Sequence, residues 1–453
     1  MPEQRGAHAT TARVREADLT SRMQTAQLTD HLLAATVHAA ADHARAGRRH
    51  LDAIHGEIRD ALDDPWAAEW DTPAGVRQFQ LFLAAKTREI WRVVGDAVAD
   101  NRRQTARLRS MGAGYGVPAR LRDRINRRAL ADDIRRVVDA TSAVSAADIV
   151  RYENALRVRD GLAANSGGDC AAPVLLLTYE PAAFGGRGRA AIAIGDPDGA
   201  DNTTVLVPGA HSSVRDGYLS HPEGRNIYRE AVRSDPDRSN SIVVWVGYRA
   251  PDSLFDPAVT QPAAARAGGR LLAADVRALA ASHVGASHVT VVGHSYGSTT
   301  VADAAASAGL GADDVVLVGS PGTDMAHSAN DFHLPAGGHV YVGAASSDPI
   351  TGFGGQPQLS LPTTSATIGL GADPAADGYG STRFKAENRG VTLPMSSHSS
   401  YFAPGGESLF SIGDIASGHG DALATHHMTA LHRRRLPAFD PERLRPGTGN
   451  HRH

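Results

Sequence analysis

Residues 288–306, HVTVVGHSYGSTTVADAAA, leave the backbone few choices. A short β-branched run, His288 to Val292, leads into Gly293-His294-Ser295-Tyr296-Gly297. Small residues from Ser298 to Ala306 then continue as a helix. A strand that turns into a helix this tightly holds its central residue in a strained conformation. Side chains two positions to either side would collide, so both positions require glycine. The Ser295 hydroxyl then stands exposed above the sheet, at a helix N-terminus. With 47 glycines in 453 residues the bare Gly-x-Ser-x-Gly pattern is a weak signal. The strand before it and the helix after it make it a strong one, and Ser295 is the candidate nucleophile.

The chain around this stretch has matching periodicity. Apolar runs at 174–179, 190–194, 204–207, 241–246, 289–292, 315–318 and 339–342 are separated by turn residues, with helical stretches at 260–283 and 298–309. Continuous apolar strands alternating with helices predict a mostly parallel sheet covered on both faces. The short turn between the first two runs predicts an antiparallel start.

A serine at neutral pH needs a general base oriented by a carboxylate, in the chain order Ser, acid, His on such a sheet. Asp348, in Ser346-Ser347-Asp348-Pro349 after the run at 339–342, is the candidate acid, with Asp324 as runner-up. His398, in Met395-Ser-Ser-His-Ser-Ser-Tyr401, is the candidate base, because a loop histidine among serines has no packing reason to exist. His327, His333 and His419 are the alternatives. A developing oxyanion needs two backbone donors. One is expected from Tyr296. The other is expected from the loop Pro208-Gly209-Ala210-His211, where Gly209 permits close approach and Ala210 or His211 donates. The glycine- and proline-rich excursion 351–390 reads as a lid candidate, and a last helix is expected around 407–418.

Upstream, apolar residues recur at threes and fours. Leu19 to Ala41 form one such stripe, and Val76, Phe79, Phe82, Leu83, Ile90, Trp91, Val94 and Val98 form a second behind an Asp71-Thr72-Pro73 start. In the third, Leu121, Ile125, Leu130, Ile134, Val137 and Val138 point inward and the arginines of 119–136 form a solvated face. A further helix is expected at 146–162. Residues 11–165 thus read as a helical domain, with Trp66, Trp70 and Trp91 as core. Ala164–Gly168 reads as a linker to a sheet domain at 170–435, with disordered ends at 1–10 and 436–453.

Lys+Arg 46 against Asp+Glu 49 gives a net charge of −3, which excludes nucleic-acid binding through bulk electrostatics. The single Cys170 excludes an intrachain disulfide framework. The polar first thirty residues and the lack of an 18-residue apolar run give neither signal peptide nor membrane span, hence a soluble, cytoplasmic expectation. His419, His426, His427 and His432 lack a ligand spacing, so no metal or other cofactor is expected.

Together PGAHSS, VVWVGYRAP (243–251), VTVVGHSYGST, VVLVGSPGT (315–323), SSDPI and HSSY resemble an actinobacterial α/β-hydrolase family of unknown function, over about residues 170–432. The resemblance implies an α/β-hydrolase fold behind an all-α helical bundle, and a triad of Ser295, Asp348 and His398. Family members often carry helical N-terminal segments reminiscent of WXG-type secretion proteins. No clear Trp-x-Gly turn is present here, so type VII-like export is an alternative to the cytoplasm. The expected substrate is a small or lipid-like ester, by analogy with the Gly-His-Ser-x-Gly form of esterases and lipases. Acyl transfer on the same residues, or a secretion-linked binding module with helices that contact a partner or cover the site, are the competing functions.

Overall fold

The computed structural model describes residues 38–63, 72–115, 117–141, 143–167, 172–253, 256–355, 359–360, 367–368, 370–388, 394–435, 438–445 and 448–453. It divides into two compact units, Met1–Tyr115 and Gly116–His453. The stretches expected to be helical before residue 38 lie outside the described residues, as does the stretch 1–10.

In the first unit, helix α1 (residues 38–63) and helix α2 (Pro73–Tyr115) run antiparallel. Thr72 Oγ1 caps α2 by accepting from the Gly75 N–H (3.1 Å), one of the orphan donors of a first turn. Charged pairs stitch the helices together: His43 with Asp100 (3.2 Å), His50 with Glu89 (3.0 Å), and Lys86 with Glu57, while Lys86 also pairs with Glu89 along α2. Ile54 is buried, but the expected core role of Trp91 is wrong: its side chain is 70% exposed. Trp66 and Trp70 lie outside the described residues.

The second unit is built on an eight-stranded sheet: β1 (Val174–Glu180), β2 (Arg189–Ile194), β3 (Asn202–Val207), β4 (Asn240–Val246), β5 (His288–His294), β6 (Asp314–Val318), β7 (Val340–Gly343) and β8 (Thr382–Phe384). Their order is β1-β2-β4-β3-β5-β6-β7-β8. The first two pairings are antiparallel and the rest parallel. Strand alternation sorts the side chains into two cores. Val205, Val243, Val291, Val315 and Leu317 meet helices α6 (Ala263–Ser282) and α7 (Tyr296–Ala308) on one face. Leu206, Ile242, Val292 and Val316 meet α5 (Glu223–Ser234) and α8 (Glu407–Ala416) on the other. Burial of both faces is what the unbroken apolar runs require.

Helices α3 (Ala119–Val138) and α4 (Ala146–Asn165) belong to this sheet unit. Strand β1 is an edge, and its outward backbone groups would be unpaired. Helix α3 satisfies them with side chains. The Leu176 N–H donates to Asp123 (2.7 Å), while Asn126 and Arg127 donate to the carbonyls of Leu176 (2.9 Å) and Val174 (2.7 Å). Tyr179 and Arg151 converge on Asp133 at 2.9 and 2.8 Å, tying α3 and α4 to the strand. The face that docks is therefore 123, 126, 127, 130 and 133, mostly polar, with Leu130 and the half-buried Ile134 of the expected apolar stripe packed inside. Leu121, Ile125 and Val138, expected inside, are exposed, because an open strand edge demands polar partners. The compact unit accordingly begins at Gly116, well before the glycines of 164–168 read as a linker.

The described residues of the C-terminal stretch read as a disordered tail, 438–445 and 448–453, pack back on the sheet unit. Asp440 pairs with the buried Arg383 (2.8 Å) and with Arg433 (2.8 Å), Arg445 grips Glu407, and His453 stacks on Phe410 with centroids 3.8 Å apart. Such pairing overrides a composition that favours disorder. Among the described residues no helix is long and apolar enough to cross a membrane.

Candidate active site

The turn from β5 to α7 is as tight as its glycines imply. Ser295 sits at φ 54°, ψ −130°, outside the regions an L-residue favours, which stores about 1–3 kcal/mol. A Cβ on Gly293 would lie 2.6 Å from Ser298 Cα, and one on Gly297 only 2.3 Å from the Val207 carbonyl oxygen. The turn is held by the Ser295 N–H, which donates to Val318 (2.9 Å), and by the Ser298 hydroxyl, which donates to the Ser295 carbonyl (2.6 Å).

Ser295, His398 and Asp348 are brought together from three separate segments, and all three are buried. The Ser295 hydroxyl lies 2.8 Å from His398 Nε2, and His398 Nδ1 lies 2.9 Å from Asp348 Oδ2. His398 ends a short helix, Pro394–His398, and Asp348 sits in the turn after β7. The two loops are pinned by Ser347 and Ser397, whose hydroxyls are 2.9 Å apart. Asp348 Oδ1 accepts the Ile350 N–H (2.9 Å), and Oδ2 also accepts the Tyr401 hydroxyl (2.7 Å). Burial alone would push the Asp348 carboxyl up. The hydrogen bond and charge of His398, then Tyr401 and the Ile350 N–H, outweigh it and hold the carboxyl below its usual value.

His294 packs against this group, its ring 4.9 Å from that of His398, and its Nε2–H donates to the His398 carbonyl (2.9 Å). Burial, with the neighbouring His398 adding to it, pushes His294 down to about 4, so it stays neutral at pH 7. Gly319, which the sequence reading missed, makes room for the base. A Cβ there would sit 3.1 Å from His398 Nδ1. The only sequence signal was the Gly-Ser-Pro-Gly run after β6.

Of the expected oxyanion donors, Tyr296 contributes the first N–H of α7, while its hydroxyl points away and accepts from the Ala265 N–H (3.2 Å). Gly209 lies against the serine: a Cβ on it would be 2.6 Å from Ser295 Cβ. His211 is corrected as a donor. Its N–H donates to Pro251 (2.9 Å) and its Nδ1 bonds the Asp252 carbonyl (3.1 Å), in a left-handed conformation with φ 59°. Ala210 is then the remaining loop candidate.

The runners-up have other partners. Asp324 is bound by both ends of Arg266 (2.6 and 3.0 Å), and His419 pairs with Asp235 (2.7 Å). His333 takes a left-handed backbone at the end of a short turn of helix. His426 and His432 bond Asp414 and the Ser381 carbonyl, each at 2.8 Å, and His427 is exposed. His327 lines a cavity of about 1010 Å³ together with Asp348, Gly354, Arg433 and Phe439. Ser295 and His398 are not on its wall. The described parts of the excursion 351–390 contribute to this cavity.

Sheet topology, elbow and site define an α/β-hydrolase. The alpha/beta hydrolase family model matches residues 185–359, and a domain of unknown function (DUF4226) matches residues 5–120. The uncharacterized protein Mb0988c of Mycobacterium bovis is 30% identical over 230 residues, which cover 48% of this chain and 83% of that one. The chain belongs to this α/β-hydrolase family, which mycobacterial proteins of uncharacterized function represent. The uncharacterized protein Rv2079 of Mycobacterium tuberculosis is 46% identical over 347 residues, 70% of this chain and 53% of that protein. The chain thus spans about half the length of that relative. Among solved structures, a truncated carbohydrate esterase from gut microbiota aligns over 56% of this chain and 99% of its own, at 10% identity and a TM-score of 0.34. That likeness is too distant to argue from.

Proposed function

We propose that this hydrolase is a serine esterase in which Ser295 is the nucleophile, His398 the general base and Asp348 the carboxylate that orients the base. The observation that carries this reading is the unbroken run of hydrogen bonds from Ser295 through His398 to Asp348, at 2.8 and 2.9 Å, on a strained elbow. An ionised Asp348 accepts the Nδ1–H, which leaves Nε2 unprotonated and able to take the serine proton.

Ser295 Oγ attacks the acyl carbon as Nε2 takes its proton, and the carbonyl electrons move onto oxygen. The N–H groups of Tyr296 and Ala210 face that oxygen, at the positive end of α7. Collapse expels the alcohol, which leaves with the proton from Nε2, and a water then repeats the sequence to release the acid. Donors placed where charge develops typically contribute about 10²–10³ in rate. Preference for esters over amides rests on the likeness of the Gly-His-Ser-Tyr-Gly elbow to that of esterases and lipases.

The test is turnover of p-nitrophenyl esters of graded acyl length. Wild type should release p-nitrophenol, and Ser295→Ala or His398→Ala should lower the rate by at least about 10³. Equal rates in wild type and Ser295→Ala would sink the assignment.

A further inference from the structure

A fourth side chain enters the site with no role in the sequence above. Tyr401 is fully enclosed beside Asp348. Its hydroxyl donates to Asp348 Oδ2 at 2.7 Å, the same oxygen that receives the His398 Nδ1–H at 2.9 Å. The hydroxyl also accepts the Ala345 N–H (3.1 Å) at the end of β7, so its single proton is committed to the carboxylate. The ring lies 5.9 Å from that of His294, the residue that holds the His398 carbonyl.

We propose that Tyr401 is a positioning residue which, by sharing Asp348 Oδ2 with His398, limits how strongly the carboxylate draws on the imidazole and so sets the pH at which Ser295 is activated. The inference rests on the triad reading above. A carboxylate that accepts a second strong donor is a weaker partner for the first. With the hydroxyl in place, Asp348 still orients His398 but accepts its Nδ1–H less strongly. An unshared Asp348 would accept more strongly and so favour the protonated imidazole more.

The other ionisable groups around the pair act as a fixed background. Burial holds His294 neutral at pH 7. Glu223 at the start of α5 acts on His294 from a distance, and Arg433, whose guanidinium is anchored by Asp440 and Thr351, acts on Tyr401. None of them donates to Asp348. Removing the Tyr401 hydroxyl therefore changes the carboxylate's hydrogen bonding and leaves these charges in place.

The experiment follows the rate of fluorophosphonate labelling of the full chain against pH, for wild type, Tyr401→Phe and a chain carrying 3-fluorotyrosine at position 401 only. Tyr401→Phe should move the acid limb of the profile to higher pH by about half a unit, an approximately threefold slower labelling below the midpoint, with the plateau retained. The fluorinated phenol is a stronger donor and should move the limb the other way. A purely packing role would lower the melting temperature of Tyr401→Phe and leave both midpoints at the wild-type value, which overturns the proposal. Should Tyr401→Phe fail to fold, the fluorotyrosine chain decides alone. A wild type that takes no label at any pH refutes the triad reading instead.

Discussion

The elbow after β5 and the outer edge of β1 are both places where backbone demands particular side chains, and the demands differ in kind. At the elbow the demand is steric and local. Two glycines two positions from Ser295 admit the Val207 carbonyl and the Ser298 backbone, and nothing larger fits. At the edge the demand is polar and distant in sequence. Backbone groups of Val174 and Leu176 are satisfied by Asp123, Asn126 and Arg127, about fifty residues earlier. A steric rule leaves a pattern in sequence. A polar one looks like an ordinary solvated helix face.

The sharpest way to break this contrast is at the elbow. Gly297→Ala places a methyl 2.3 Å from the Val207 carbonyl oxygen, against backbone that cannot yield. It should cost about 3 kcal/mol or more and abolish esterase activity. A variant that melts within a few degrees of wild type and keeps its turnover would show that the turn is not under steric control.

Asp303 on α7 provides a third case, a buried acid that is only partly satisfied. One oxygen accepts the Met325 N–H (3.1 Å) and the other has no hydrogen-bond partner among the described residues. Burial, with the charge of Asp324 adding to it, pushes the carboxyl up to about 8. A raised carboxyl binds its proton more tightly in the folded chain than in the unfolded one. Its contribution is therefore most favourable below the ordinary carboxylate value of 3.8 and declines as pH rises towards about 8. The slope is at most about 1.4 kcal/mol per pH unit. Asp303→Asn should match wild type in chemical denaturation at pH 4 and exceed it at pH 8. A constant difference across that range would show that the group does not titrate there.

At the β1 edge, Asp123→Ala leaves the Leu176 N–H without its acceptor and should cost about 1–3 kcal/mol in the same assay. The smallest effect sits on the opposite side of the same helix. Ile125 is exposed, so Ile125→Ser should change stability by no more than about 0.5 kcal/mol. If Ile125→Ser cost more than Asp123→Ala, the docking face of α3 would be the side that carries Ile125 after all.

These differences explain what could be read in advance. The seven apolar runs anticipated seven of the eight sheet strands to within two residues, because a doubly covered parallel sheet needs unbroken apolar segments. The eighth, Thr382–Phe384, is three residues long and carries the buried Arg383, so it has no apolar signature. Ser295, Asp348 and His398 were each found by position relative to a strand or loop, and they meet in space. Tyr401 was quoted only as the end of the run that carries His398, since a tyrosine 53 residues from a carboxylate carries no spacing rule. The linker was misplaced because Ala164 and Asn165 still belong to α4, whose helix packs inside the sheet unit that begins at Gly116. The C-terminal stretch was misjudged because Arg445 and Asp440 find acids and bases that only folding brings near.

The most direct test of the central claim is fluorophosphonate labelling of wild type followed by mass mapping of the modified peptide. The account predicts a single adduct on Ser295, absent from Ser295→Ala and strongly slowed in His398→Ala. Labelling on another serine, or undiminished labelling of folded Ser295→Ala, would contradict it.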